Sequence, residues 1–284
     1  MKLKYLTVLP IIYYLAKYFL YKLNLKLLFK ENQKILCNNI NYYKDFIKIF
    51  YNYNVFIHKF KIRCEGDYLD SLYIKNKKKT DYITIYFHGN RGTIYDCLYK
   101  NDVKNILSYS NLFLYDYRGY GESSGHTNEI NIIEDSILIY IYVLKTLNYD
   151  PSKIIIYGNS LGGYVASTLI KNIKLANLPI PKGLIIQSPF YSLYEICADI
   201  YPLLKYFMQF NLNNSENINK ICDLLPIIIL HSKNDEYIKF KHSQKLLEDN
   251  KNNASIKLLE IDGLHDVVFY DNTINDNIKS ILGI

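Results

Sequence analysis

Apolar positions in this chain fall into short continuous runs separated by longer amphipathic segments. Runs at 83–87, 112–117, 153–157, 183–187, 227–230 and 256–261 are nearly all β-branched, leucine or aromatic. Such runs read as strands buried on both faces. Between them, 93–109, 130–147, 164–173, 241–250 and 267–282 place apolar residues at helical spacing. Upstream, 54–64 alternates apolar and polar residues, Glu65-Gly66-Asp67 makes a turn, and 68–74 is a second strand, which together read as a hairpin. Strands alternating with helices predict an α/β fold with a mostly parallel central sheet and helices on both faces. The one long interruption, 188–225, holds an aromatic, partly helical run at 190–210 and then an Asn-rich stretch. An insert there would sit over the strand ends as a small cap.

The length of 284 residues suits one large α/β domain, expected at 54–284, after a helical, linker-like segment at 1–53. The formal charge of +7 changes the picture only at the N-terminus. Residues 1–30 hold six lysines and no acid, leaving +1 for the rest. The body therefore carries no nucleic-acid footprint, and no nucleic-acid partner is expected. Within 5–29 the longest uncharged run is 12 residues, short for a membrane span, and no small-x-small cleavage site follows. Lys22, Lys26 and Lys30 recur on one helix face. The preferred reading is a basic apolar helix attached to an anionic membrane surface. The alternative is a helix that packs its apolar side on the domain.

Hydrophobic residues make up 49% of the chain, enough for a large core, and 30 tyrosines occur without a tryptophan. Five scattered cysteines argue against a disulfide framework and against a zinc site, and favour an intracellular setting. Cys97 and Cys222 read as buried structural thiols rather than nucleophiles.

Candidate chemistry centres on Gly158-Asn159-Ser160-Leu161-Gly162-Gly163, which follows the strand at 153–157 and precedes a helical segment. Gly-x-Ser-x-Gly at a strand-to-helix junction is the pattern of a nucleophile elbow. The turn strains the serine backbone, so its neighbours must lack colliding side chains. A serine needs a base and a group that orients the base. The order Ser, acid, His is available. Asp235 lies in the loop after strand 227–230, and His265 in the loop after strand 256–261. Ser160 is the expected nucleophile, His265 the general base and acid, and Asp235 the orienting carboxylate. Glu236 and Asp266 are rival acids, but Asp266 adjoins His265 and is badly placed to reach its ring. His58, His126, His231 and His242 read as structural or solvent-exposed, and His88 as a buried residue pinning its loop. Two backbone amides should form an oxyanion hole: Leu161, directly after the serine, and Asn90 in the loop His88-Gly89-Asn90-Arg91-Gly92. The Gly-x-Gly at 119–121 lacks a third glycine, since 124 is Ser124, so it is read as a structural turn bordering the site. No Walker motif or metal-ligand cluster occurs, and no cofactor or metal is expected.

His88-Gly89-Asn90, Asp116-Tyr117-Arg118-Gly119-Tyr120-Gly121-Glu122-Ser123, the elbow, Asp235 and His265 together resemble the α/β-hydrolase superfamily over roughly 56–284. The similarity is greatest to the serine-aminopeptidase-like branch, which includes membrane-anchored hydrolases and protein depalmitoylases. The resemblance implies an α/β-hydrolase fold and cofactor-free hydrolysis of an ester, thioester or amide. It also implies an N-terminal membrane segment. The expected function is a serine hydrolase cleaving carboxylic ester or thioester bonds through an acyl-enzyme. Its substrates would be lipids or acylated proteins, and its location intracellular and membrane-associated. A serine peptidase of the same fold and a non-catalytic hydrolase-like scaffold are the alternatives.

Overall fold

Residue-by-residue alternation across the central strands builds the core in two halves. Ile83, Ile85, Phe87, Ile154, Ile156, Leu184, Ile186, Ile227 and Ile229 face one side, while Tyr86, Ile155, Tyr157, Ile185, Ile228 and Leu230 face the other. The two-residue period of a strand sends neighbours to opposite faces, so a run apolar at every position needs cover on both. Each fully buried side chain of this kind contributes about 1.5–3 kcal/mol relative to exposure.

The structure, a computed structural model, describes residues 17–20, 22, 23, 29, 54–78, 80–200, 202 and 210–284. Its strands are β1 (Val55–Cys64), β2 (Asp67–Asn76), β3 (Ile83–Phe87), β4 (Asn111–Tyr115), β5 (Ile154–Asn159), β6 (Gly183–Gln187), β7 (Ile227–His231) and β8 (Ile256–Glu260). They form one sheet in the order β1-β2-β4-β3-β5-β6-β7-β8. The β1–β2 hairpin is antiparallel, and β2 also runs antiparallel to β4. From β4 onward every pairing is parallel. A pair of two-residue strands, β9 (Asp262–Gly263) and β10 (Val268–Phe269), forms a separate antiparallel ladder. The helices are α1 (Ile94–Cys97), α2 (Asn101–Ile106), α3 (Glu129–Lys145), α4 (Leu161–Leu175), α5 (Leu193–Ile200), α6 (Asn214–Ile221), α7 (Lys241–Asp249) and α8 (Asn272–Leu282).

The predicted strands all occur within a residue or two of their expected bounds. The helix expected over 93–109 does not form as one element. Lys100 adopts extended backbone (φ −74°, ψ 146°) and separates α1 from α2. The apolar residues on either side, Tyr95, Cys97, Leu98, Val103 and Ile106, still bury together, so their spacing mimics a single helix. The helix expected from 267 begins only at α8, where the Asp271 side chain accepts a hydrogen bond from the Ile274 amide as its N-cap. Chain that was read as its first turn is β10.

The expected attachment of residues 1–30 to an anionic membrane, and the membrane-associated location built on it, do not stand. Among the described residues no helix is long and apolar enough to cross a membrane. Most of the segment lies outside the described residues. Phe29, which does not, is buried in the domain core with its ring 6.3 Å from that of Phe210. An apolar side chain covered by the domain is withdrawn from any bilayer.

Candidate active site

The site lies at the C-terminal end of the parallel strands, where β5 turns into α4. Ser160, between them, holds φ 55° and ψ −115°, a conformation that L-residues rarely adopt. Its neighbours show why the turn needs glycine. A Cβ on Gly158 would lie 2.2 Å from the Gly162 carbonyl oxygen, and one on Gly162 would lie 2.0 Å from that of Phe87. The start of α4 therefore packs directly against the end of β3, and the sharp turn carries the serine side chain out of the sheet.

His265 reaches the serine from the loop between β9 and β10. That tiny ladder pairs Gly263 with Val268, and Leu264 N–H donates to the Val267 carbonyl at 2.8 Å. Gly263 has φ +116°, and a Cβ there would meet the Val267 carbonyl oxygen at 2.1 Å. The His265 amide donates to Glu236 Oε2 at 3.0 Å, which ties this loop to the one after β7. Glu236, a rival for the acid, thus holds the histidine backbone rather than its ring. Asp266 pairs with Lys100 at 3.1 Å.

Asp235 follows β7. Its Oδ1 accepts from the amides of Tyr237 (3.0 Å) and Ile238 (2.8 Å). Its Oδ2 accepts from His265 Nδ1 at 2.8 Å and faces His231 Nε2 at 3.2 Å. Burial alone would raise the Asp235 carboxyl. The hydrogen bonds from His231 and His265 and the backbone outweigh it, and the group is held well below the usual carboxylate range. With Nδ1–H given to the carboxylate, His265 Nε2 is the free lone pair that accepts the Ser160 hydroxyl at 3.2 Å. The three residues singled out from 105 positions apart thus share one hydrogen-bonded chain.

The loop after β3 faces the serine. A Cβ on Gly89 would lie 3.5 Å from Ser160 Cβ. Asn90 follows, and Leu161 opens α4, where a helix amide has no partner within the helix. This loop is clamped by two tyrosines of the Asp116–Ser123 turn. Tyr117 O–H donates to the His88 carbonyl at 2.8 Å, and Tyr120 O–H to Asn90 Oδ1 at 2.7 Å. Reading that turn as a structural border missed these two side chains, which nothing in their spacing announces. His88 is buried, as expected, with Nδ1–H on the Gly89 carbonyl at 2.7 Å. His231, read as structural or solvent-exposed, is structural. It is fully buried against Asp235, with Nε2–H also 2.8 Å from the Ile238 carbonyl and Nδ1 accepting from Ser243 at 2.6 Å. His242, on α7, is also buried and accepts from the Tyr191 amide.

A cavity of about 210 Å³ opens at Ser160 and His265, bounded by Asn90, Arg91, Tyr237 and Ile196 of α5. Among the described residues no group of three or more His, Cys, Asp or Glu side chains is placed to hold a metal ion.

A mostly parallel sheet with a reversed β1–β2 hairpin, a strained serine between β5 and α4, and a histidine from the last loop define an α/β-hydrolase fold. Solved structures agree on the fold: the α/β hydrolase of Vibrio vulnificus superposes with a TM-score of 0.67 at 18% identity, over 86% of this chain and 84% of that one. No family model matches the chain. Sequence relatives are closer. It is 35% identical over 212 residues to uncharacterized protein R595 of Acanthamoeba polyphaga mimivirus, covering 69% of this chain and 71% of that protein. The chain belongs to the family of that viral protein, and it has the α/β-hydrolase fold. It is also 30% identical over 195 residues to the lysophosphatidylserine lipase ABHD12 of Danio rerio, covering 62% of this chain but only 49% of the lipase. The chain thus spans about half the length of that relative.

Proposed function

We propose that the protein is a serine hydrolase that cleaves carboxylic esters or thioesters through an acyl-enzyme. The observation that carries this reading is the Ser160–His265–Asp235 hydrogen-bonded chain opening into a cavity. In the proposed reaction Ser160 Oγ attacks the substrate carbonyl carbon while His265 Nε2 takes its proton. Asp235 holds the ring in the tautomer that leaves Nε2 free and stabilises the imidazolium that forms. The backbone amides of Asn90 and Leu161 stabilise the oxyanion. His265 then gives the proton to the leaving alcohol or thiol, and water repeats the sequence on the acyl-enzyme. Residues 188–225 serve as the cap, and Ile196 from that insert supports the assignment by bounding the cavity. Relatedness to a lysophosphatidylserine lipase favours an ester over a peptide substrate. The motif set favours placement in the serine-aminopeptidase-like branch.

A fluorophosphonate probe tests the reading. Wild type should label covalently, and Ser160→Ala and His265→Ala should not. A folded wild type that stays unlabelled and turns over no acyl ester or thioester would leave a non-catalytic scaffold as the better account.

A further inference from the structure

The wall of the cavity carries a cation that the proposed chemistry does not use. Arg91 immediately follows Asn90 on the loop facing Ser160, and its side chain bounds the same cavity. Among the described residues no carboxylate lies within ion-pair distance of its guanidinium. Its contacts are with Tyr237: Nη1 donates to the tyrosine hydroxyl at 3.1 Å, and the guanidinium stands 4.8 Å from the ring centroid. The other side of that arrangement is the active histidine, since the Tyr237 ring meets the His265 ring edge-to-face at 5.5 Å. Arg91 is therefore held one aromatic ring away from the reacting groups. A second cation, Lys100, also lines the cavity, but Asp266 offsets it at 3.1 Å. Among the described residues that line the cavity, Arg91 is thus the cation without a carboxylate within ion-pair distance.

A guanidinium braced by an aromatic hydroxyl loses little freedom when it binds, and its planar fork matches carboxylate and phosphate oxygens. An arginine with no acidic partner beside a nucleophile leaves that fork for a ligand. The geometry points to an ester or thioester substrate that carries an anionic group, a carboxylate or a phosphate, a few atoms from the scissile carbonyl, with Arg91 as the residue that selects it. This rests on the serine-hydrolase reading and adds the substrate class to it. The anion could belong to the acyl part or to the leaving alcohol.

Two matched substrate pairs test it. Mono-4-nitrophenyl glutarate against 4-nitrophenyl pentanoate places the carboxylate on the acyl side. 1-Butyrylglycerol 3-phosphate against 1-butyrylglycerol places a phosphate on the alcohol side. The readout is the ratio of kcat/KM for the anionic over the neutral member within each variant, so any general loss of activity cancels. Wild type should favour the anionic member of at least one pair by about twofold to fivefold, the range of an exposed ion pair. Arg91→Ala should bring that ratio to near one, Arg91→Glu should invert it, and Arg91→Lys should keep part of it. Raising the salt should lower the ratio in wild type and not in Arg91→Ala. The pair that responds identifies the side on which the anion sits. A wild type that hydrolyses the neutral esters without preferring either anion overturns the substrate class, a preference untouched by Arg91→Ala overturns Arg91 as its selector, and either leaves the hydrolase reading intact. Absence of both turnover and fluorophosphonate labelling overturns the two together.

Discussion

Asp235 accepts from four donors, and His231 is the one side chain among them that lies outside the proposed reacting groups. His231 is fixed on both ring nitrogens, with Ser243 donating to Nδ1 and Nε2–H shared between the Ile238 carbonyl and Asp235. It is a positioning residue: it touches neither the serine nor the cavity, and it acts by holding the carboxylate that orients His265. A hydrogen bond to a charged group contributes about 1.5–3 kcal/mol, so its loss should be visible in the rate. His231→Leu should lower kcat for a neutral ester about tenfold or more with KM little changed, because orientation matters in the transition state more than in substrate binding. His231→Gln keeps a donor near the Nε2 position and should recover most of that loss. If Gln and Leu are equally impaired while both remain folded, the hydrogen bond to Asp235 is not what the rate depends on. A loss expressed only as a lower denaturation midpoint would mean that His231 serves the core alone.

At the level of elements, the turn from β5 to α4 concentrates what the sequence can specify. Two of its three glycines are demanded by backbone approach, and the third is not. A Cβ on Gly162 would meet backbone at 2.0 Å, whereas one on Gly163 would meet nothing nearer than Ile186 Cβ at 3.6 Å, an ordinary contact. Gly162→Ala should therefore destabilise by about 3 kcal/mol or more, since the end of β3 has to move. Gly163→Ala should be neutral or stabilising by up to about 1 kcal/mol, the gain from replacing glycine within a helix. Denaturant midpoints of the two variants decide it, and equal losses would contradict this account of the turn. The contrast also shows what was legible in advance. The strands, the elbow, Asp235 and His265 could be read because each is local: an apolar run, a glycine pattern, an acid or histidine just beyond a strand. The division between α1 and α2 was not legible, because Lys100 is an ordinary helix former and its extended backbone turns its side chain to the cavity and Asp266, a partner 166 residues away. The β9–β10 ladder was hidden because two residues a side carry no periodicity. His231, Tyr117 and Tyr120 were missed for a related reason. Each acts on a group brought near by the sheet, and a residue type alone does not say which neighbour it will meet.

Across the whole molecule, the pH dependence of stability should bear the mark of one buried pair. His88 Nε2 stands 3.5 Å from Asp116 Oδ1, both side chains being essentially inaccessible. Asp116 Oδ1 accepts the Ile94 amide, and its Oδ2 lies so close to Gly121 that a Cβ there would be 2.0 Å away. Burial pushes His88 down to about 4 from its ordinary 6.5. Burial also drives Asp116 well above its ordinary 3.8, against the Ile94 hydrogen bond and with Asp70, Asp96 and Glu122 adding to the rise. The two shifts act on stability with opposite signs. A histidine lowered on folding contributes stability that is present above 6.5 and lost as pH falls toward 4. A carboxyl raised on folding contributes stability that is present below 3.8 and lost as pH rises toward its folded value. As long as Asp116 stays protonated in the folded state, the two slopes oppose each other between about 4 and 6.5, and above 6.5 the carboxyl's alone remains and lowers stability as pH rises. Asp116→Asn separates the two contributions, because asparagine does not titrate and its Oδ1 can still accept the Ile94 amide. Measured by urea denaturation across pH 4.5–8.5, the variant should gain on wild type as pH rises, until Asp116 ionises in the folded protein. Parallel curves would show that folding takes up no proton at Asp116.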